Sequence, residues 1–233
     1  MTQLVLFDLD ETLLAGDSDF EWGQFLIDAG VFDRAVYEAR NAEFYAQYRA
    51  GTLDVAEHLL FQVGPLSRYS RAELDAWHAE FLASRILPMV RPGARPLIAR
   101  HRGATQAIVT ATNAFVTGPI AAALGVPHLL ATELEEIDGR FTGRPLGTPC
   151  FQQGKVTRLH EWLSSRGERL ADYDESWFFS DSMNDLPLLS LVTHPVAVYP
   201  DPRLKTHAEQ AGWPVLTLDT TELQNPASKR RPL

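Results

Sequence analysis

The chain has 233 residues, 45% of them hydrophobic and 22% charged, and a formal net charge of −9. That length suits one large domain or a core with a smaller lobe, burying about 70% of the unfolded surface. The acidic balance disfavours general nucleic-acid binding, which needs a basic face, and no window reaches the ~18 apolar residues of a membrane span. The apolar run at the N-terminus is short and ends in Asp8 with no basic stretch before it, unlike a signal peptide. The lone Cys150 can form no internal disulfide, and a cytoplasmic setting is expected. The terminal SKRRPL reads as a disordered tail rather than a binding arm.

In chain order, LVLFDLDETLL (4–14) starts as a buried strand over 4–9 and then places Asp8, Asp10 and Glu11 where apolar residues would be expected. Unpaired buried carboxylates cost several kcal/mol each, so the pair calls for a cation or for protonation. About a hundred residues separate this strand from the next core-like one at 107–110, where a βαβ unit needs only about thirty. The interval carries helical patterns at 20–29, 34–49, 55–63 and 72–88, with AGDSD and ILPMVRPG as the two connections, and predicts an inserted helical cap. Further strands are expected at 128–132, 177–180, 196–199 and 215–218. Helices over 91–103, 115–125 and 154–167 each end in glycine, and Asp138-Gly139 suggests a hairpin turn. The alternation gives an α/β fold with a largely parallel sheet.

In such a sheet, loops leaving the carboxyl ends of the strands gather at one edge, where ligands bind. Asp8 and Asp10, Thr110, Lys155 and SDSMND (180–185) all fall in loops of that kind. Each has an ordinary reading when taken alone: a turn cluster, a β-branched strand residue, a surface lysine, an N-cap cluster. Together, DLDET, VTATN, GK and SDSMNDLPLL stand in the order of the four motifs of the haloacid dehalogenase (HAD) superfamily. The chain resembles its phosphoserine-phosphatase-like branch over residues 4–200. The resemblance implies a Rossmann-like core at 1–14 and 90–220, a cap of the C1 type at 15–89, and a flexible tail at 221–233.

It also implies a phosphomonoester hydrolase with Mg²⁺. A phosphate ester repels a carboxylate nucleophile, so attack needs cations on the equatorial oxygens, and a hard ion with oxygen ligands and waters supplies them. By the family pattern Asp8 is nucleophile and metal ligand, forming an aspartyl-phosphate. Asp10 gives its backbone carbonyl to the metal, while its side chain, with a pKa raised towards neutrality, acts as general acid and then base. Thr110 would bind a phosphoryl oxygen, with the backbone N–H groups of Ala111 and Thr112 near a helix start. Lys155 would neutralise charge, Asp181 would be the third metal ligand, Asp185 would hold metal-bound water or Lys155, and Asn184 would orient the site. Glu11 is expected to be solvated and Thr12 to be a turn hydroxyl.

Selectivity falls to the cap. In phosphoserine phosphatases an acid nine residues beyond the nucleophile meets the substrate ammonium, and Asp17 holds that offset. The arginine those enzymes use for the substrate carboxylate aligns with Gln62, a neutral amide and a poor partner for a carboxylate out of water. A small amino-alcohol phosphate therefore ranks above phosphoserine. The stretches GDSDFEWG, VTATNAFVTGPIA and PCFQQGK resemble capped members assigned as histidinol-phosphate phosphatases, which makes L-histidinol phosphate the leading candidate. Phe20, Trp22, Phe44, Tyr45 and Tyr48 are available to stack on an imidazole or to form the cap core. The alternatives are a phosphoserine phosphatase, a phosphotransferase with an alcohol acceptor and, remotely, a silent phosphate-binding protein. The oligomeric state is not legible.

Overall fold

The computed structural model describes residues 1–50, 52 and 54–220. The tail expected at 221–233 lies outside the described residues. Seven strands form one sheet in the order β4-β3-β2-β1-β5-β6-β7. They are β1 (Gln3–Phe7), β2 (Thr105–Asn113), β3 (His128–Ile137), β4 (Arg140–Leu146), β5 (Glu175–Ser180), β6 (His194–Val198) and β7 (Val215–Leu216). Every pairing is parallel except that of β3 with β4. The centre of the sheet is buried on both faces, so β1 reads as an unbroken apolar run, with Leu4, Val5, Leu6 and Phe7 fully enclosed. Phe7 stacks on Phe179 of β5 at 5.4 Å. The hairpin turns through Asp138 and Gly139, both at positive φ, as a two-residue primed turn requires.

The helices are α1 (Ser18–Asp28), α2 (Arg34–Ala50), α3 (Val55–Val63), α4 (Arg71–Phe81), α5 (Leu87–Met89), α6 (Ala94–Arg100), α7 (Ala114–Leu124), α8 (Gln153–Ser165), α9 (Leu186–Leu189) and α10 (Pro202–Ala211). The first five fall in the interval where the helical cap is expected. The helix expected over 72–88 is broken: α4 ends at Phe81, one π-helical turn spans Leu82–Ile86, and α5 follows with Pro88 inside its single turn. The helix expected over 91–103 shortens to Ala94–Arg100. Local capping explains the main starts. Asp17 accepts from the Asp19 and Phe20 N–H groups, Asp54 from Ala56 and Glu57, and Ser70 with Glu73 forms a capping box on α4.

The cap has an aromatic core of its own that runs into the sheet domain. Trp22 packs on Phe25, His78, Phe81 and Phe115, the last from α7. His78 Nε2 donates to the Val116 carbonyl at 2.7 Å, which ties α4 to α7. Gly143 of β4 comes so near Gly64, between α3 and α4, that a Cβ there would lie 2.9 Å from the Gly64 carbonyl oxygen. The two connections to the cap run side by side. Leu14 bridges Val90, the Ala15 N–H donates to the Met89 carbonyl at 2.8 Å, and the Arg91 N–H donates to the Leu13 carbonyl at 3.0 Å.

Candidate active site

Sheet pairing continues one residue beyond β1, because the Asp8 N–H donates to the Phe179 carbonyl at 2.8 Å. Asp8 is thereby fixed at the strand tip, 6% exposed. The following loop turns tightly, with Glu11 at φ 56 and its N–H on the Gly16 carbonyl, while Leu9, Leu13 and Leu14 sink into the core. Glu11 itself is exposed, as expected. Thr12 does more than support the turn: its hydroxyl lies 3.1 Å from Asp181 Oδ1 and 3.4 Å from Asp8 Oδ2, and it accepts the Asp181 N–H at 3.0 Å.

Lys155 enters from the first turn of α8. The glycine before it is a steric necessity, since a Cβ at Gly154 would lie 1.9 Å from the Pro149 carbonyl oxygen. The Lys155 ammonium, 2% exposed at the residue level, donates to Asp8 Oδ1 at 2.9 Å and to Asp185 Oδ2 at 2.7 Å. Burial alone would lower its pKa, but Asp185 and Asp8 outweigh that and hold it above the usual lysine range. Ser180 Oγ donates to the same Asp185 oxygen at 2.7 Å. Burial still pushes the Asp185 carboxyl up to about 6 against the pull of Lys155.

Asp10 sits under the cap. Its Oδ1 accepts the Ser18 N–H at 2.7 Å, and its Oδ2 accepts the Thr112 hydroxyl at 2.9 Å and lies 3.4 Å from the Thr110 hydroxyl. Burial, with Asp17 adding to it, raises the Asp10 carboxyl to about 6, in the direction the acid–base role asks for. Two expectations change here. Strand β2, expected over 107–110, runs through to Asn113, which caps a helix starting at Ala114, one residue ahead of the expected 115. The Thr112 N–H, expected to face the phosphate, donates instead to Thr110 Oγ1 at 3.2 Å.

Asp181 and Asp8 form a like-charge pair joined by Thr12. Burial and then Asp8 push the Asp181 carboxyl up to about 9, so the pair lacks the positive charge that would let both ionise. Among the described residues no three acid, histidine or cysteine side chains converge on one point. The carboxylates of Asp8 and Asp181, joined through Thr12, are oxygen donors of the kind a hard divalent ion such as Mg²⁺ takes.

The site opens into a cleft of about 810 Å³ between the sheet edge and the cap. Asp8, Asp10, Asp17, Gln62, Thr110, Ala111, Thr112, Lys155, Asp181, Asn184 and Asp185 all line it. Asp17 does so with its Oδ1 occupied in capping α1. Asn184 accepts a hydrogen bond from Gln152 at 3.1 Å. Of the aromatics, Trp22 belongs to the cap core and is absent from the cleft wall, whereas Phe20 and Phe44 border it. The side chains of Tyr45 and Tyr48 lie outside the described residues. Sequence reading missed Ser180 and Asp19, gave Thr12 only a turn role, and assigned Thr112 by its N–H rather than by the hydroxyl that meets Asp10. Asp19, in the first turn of α1, also lines the cleft, and its pKa is raised by burial and by Asp17 and Asp10. The available signal was its place two residues beyond Asp17 on the same helix turn.

The family model for haloacid dehalogenase-like hydrolases matches residues 5–190. The chain belongs to that family. A histidinol-phosphatase of Neisseria meningitidis is 46% identical over 219 residues, 93% of this chain and 99% of that one. Phosphoserine phosphatase SerB1 of Mycobacterium tuberculosis is 32% identical over 220 residues, 92% of this chain and 70% of the other. This HAD hydrolase is therefore a phosphatase. A Bordetella pertussis protein of unknown function superposes with a TM-score of 0.88 at 46% identity, covering 92% of this chain and 98% of its own. A substrate-bound phosphoserine phosphatase superposes at 0.64 with 22% identity, covering 95% of each chain, a likeness of fold: a Rossmann-like core with a cap. No helix among the described residues is long and apolar enough to cross a membrane.

Proposed function

We propose that this HAD phosphatase hydrolyses L-histidinol phosphate in the cytoplasm through an aspartyl-phosphate, with Mg²⁺ as cofactor. Asp8 is the nucleophile, its carboxylate oriented by Lys155 and Thr12. Asp10 protonates the departing alkoxide and then takes a proton from the water that cleaves the acyl phosphate; a carboxyl near 6 can serve both steps close to neutral pH. Lys155 supplies positive charge to the attacked phosphoryl group, and the Thr110 hydroxyl is within reach of the same region. Asp8, Asp181 and the Asp10 carbonyl would hold Mg²⁺, with Asp185 behind them. When bound, the ion neutralises phosphoryl charge and relieves the repulsion between Asp8 and Asp181.

The observation that carries the substrate reading is the charge of the cleft wall. Among the described residues the sole ammonium or guanidinium lining the cleft is Lys155, already shared by Asp8 and Asp185. Asp17, Asp19 and Glu38 line the cap side. Such a wall favours a substrate amine and offers a substrate carboxylate no cationic partner, which supports an amino-alcohol phosphate over phosphoserine. The name borne by the 46% identical relative points the same way.

The test is phosphate release from a panel of phosphorylated metabolites with Mg²⁺. L-Histidinol phosphate should have the highest kcat/KM, at least ~10-fold above phosphoserine, a margin of about 1.4 kcal/mol. A preference for phosphoserine would overturn the substrate, and a phosphorylated alcohol in place of free phosphate would overturn hydrolysis.

A further inference from the structure

Part of the cleft wall is made by polar groups of α2 and α3 that the chemistry above leaves unused. Tyr37 of α2 is buried, and its hydroxyl donates to Gln62 Oε1 of α3 at 2.9 Å. It reaches that point because residue 23 of α1 is glycine: a Cβ at Gly23 would lie 2.1 Å from the phenol oxygen. With Oε1 accepting from Tyr37, the amide nitrogen of Gln62 faces the other way, 3.4 Å from His58 Nε2. An amide nitrogen can only donate, so the His58 nitrogen accepts and its ring proton sits on Nδ1. Burial lowers the His58 pKa and favours that neutral form. The Tyr37 hydroxyl, which also meets the Asn41 side chain, donates to Oε1 and so favours the polarity of the amide with its oxygen towards the phenol. The amide carries two N–H groups. One goes to His58, and the second has no partner among the described residues while Gln62, His58 and Phe44 line the cleft. Phe44 meets His58 edge-on at 5.0 Å, giving an aromatic wall beside the free N–H.

We propose that Tyr37 is a positioning residue that locks the Gln62 amide with its N–H turned to the cleft, so that the cap reads an uncharged ring nitrogen on the substrate's side chain. This rests on the imidazole-bearing substrate proposed above. A neutral imidazole offers one such acceptor nitrogen, whereas an aliphatic side chain offers none.

The experiment compares steady-state kinetics of the Mg²⁺-loaded enzyme on L-histidinol phosphate and on L-alaninol phosphate, which has the same amine and ester without the ring. In Tyr37→Phe the ratio of the two kcat/KM values should fall about 5-fold, with the loss carried by KM for the ring-bearing ester rather than by kcat. Gln62→Met should lower the ratio at least as much, and adding Tyr37→Phe to it should lower it no further, because the phenol acts only through the amide. An unchanged ratio in Tyr37→Phe, or full additivity in the double variant, overturns the proposal. Should Tyr37→Phe fail to fold, Gln62→Glu, close in size but offering acceptors only when ionised, must lose the ratio as well, and its retention overturns the proposal. A wild-type enzyme that does not favour the ring-bearing ester refutes the substrate reading, and the proposal falls with it. A wild-type preference untouched by these variants refutes the proposal alone.

Discussion

Replacing Lys155 with methionine keeps most of the apolar stem and removes the charge that two buried carboxylates share. Asp185 is 2% exposed and, with Lys155 beside it, already stands at about 6. Once the ammonium is gone it rises further and takes up a proton. At pH 7.5 the added cost of that protonation over the wild type is bounded by the one and a half pH units between 6 and the solution, or about 2 kcal/mol. Asp8 loses a charge-assisted hydrogen bond from Lys155, about 1.5–3 kcal/mol more, so the deficit at pH 7.5 should be about 4 kcal/mol. The sign of the pH dependence follows. In the variant the folded Asp185 carboxyl lies above its unfolded value, so its contribution is fully present below the unfolded pKa and lost as pH rises. At pH 5.5 both proteins hold most of that proton, and the deficit should shrink by about 2 kcal/mol. Urea unfolding in EDTA, followed by tryptophan fluorescence at both pH values, measures it. Equal deficits at the two pH values, or a deficit below ~1 kcal/mol at pH 7.5, would refute the reasoning.

Asp8→Asn should reduce phosphate release below about one part in a thousand while the melting profile stays cooperative, because an amide cannot carry the phosphoryl group; substantial residual turnover would reassign the nucleophile. Thr12→Val removes the hydroxyl between Asp8 and Asp181. The Mg²⁺ concentration for half-maximal activity, titrated after EDTA treatment, should rise about 10-fold or more, and an unchanged titration would separate Thr12 from the metal site. His78 is buried with its pKa held below the ordinary value by desolvation, so the wild type should lose stability as pH falls from about 6.5. His78→Gln keeps a donor for the Val116 carbonyl and has nothing to titrate. The gap between the two proteins should move in favour of the variant by up to ~1 kcal/mol between pH 6.5 and 5.5 in denaturant unfolding, and a constant gap would contradict it.

The core was legible because its signals are local. A buried strand that ends in two carboxylates and an Asp-Gly pair between alternating segments each follow from the geometry of a few neighbouring residues, while Lys155 stood out only through the GK motif of the resemblance. The long interval before β2 gave away the cap by length alone. What escaped depends on pairings distant in sequence. Thr12 looks like an ordinary turn residue until Asp181 is brought against it across 169 positions. Thr112 looked like a helix-start donor because nothing in VTATN says that pairing with β3 extends the strand to Asn113. The break after Phe81 was hidden because the π-helical turn LASRI carries no glycine or proline to announce it. Asp17 was placed on the cleft by its offset, but its capping of α1 shows only when that helix is seen to start at Ser18.

The paired crossing at Leu14 and Val90 sets what the architecture can tolerate over generations. Entry and exit of the inserted segment meet at one backbone contact, so the sheet sees a closed loop whose ends are held whatever lies between them. Closure entropy grows only with the logarithm of loop length, about 0.6 kcal/mol for each doubling. The inserted segment is thus an exchangeable cassette: it could be lengthened, shortened or rebuilt at small cost to the sheet that carries the carboxylates.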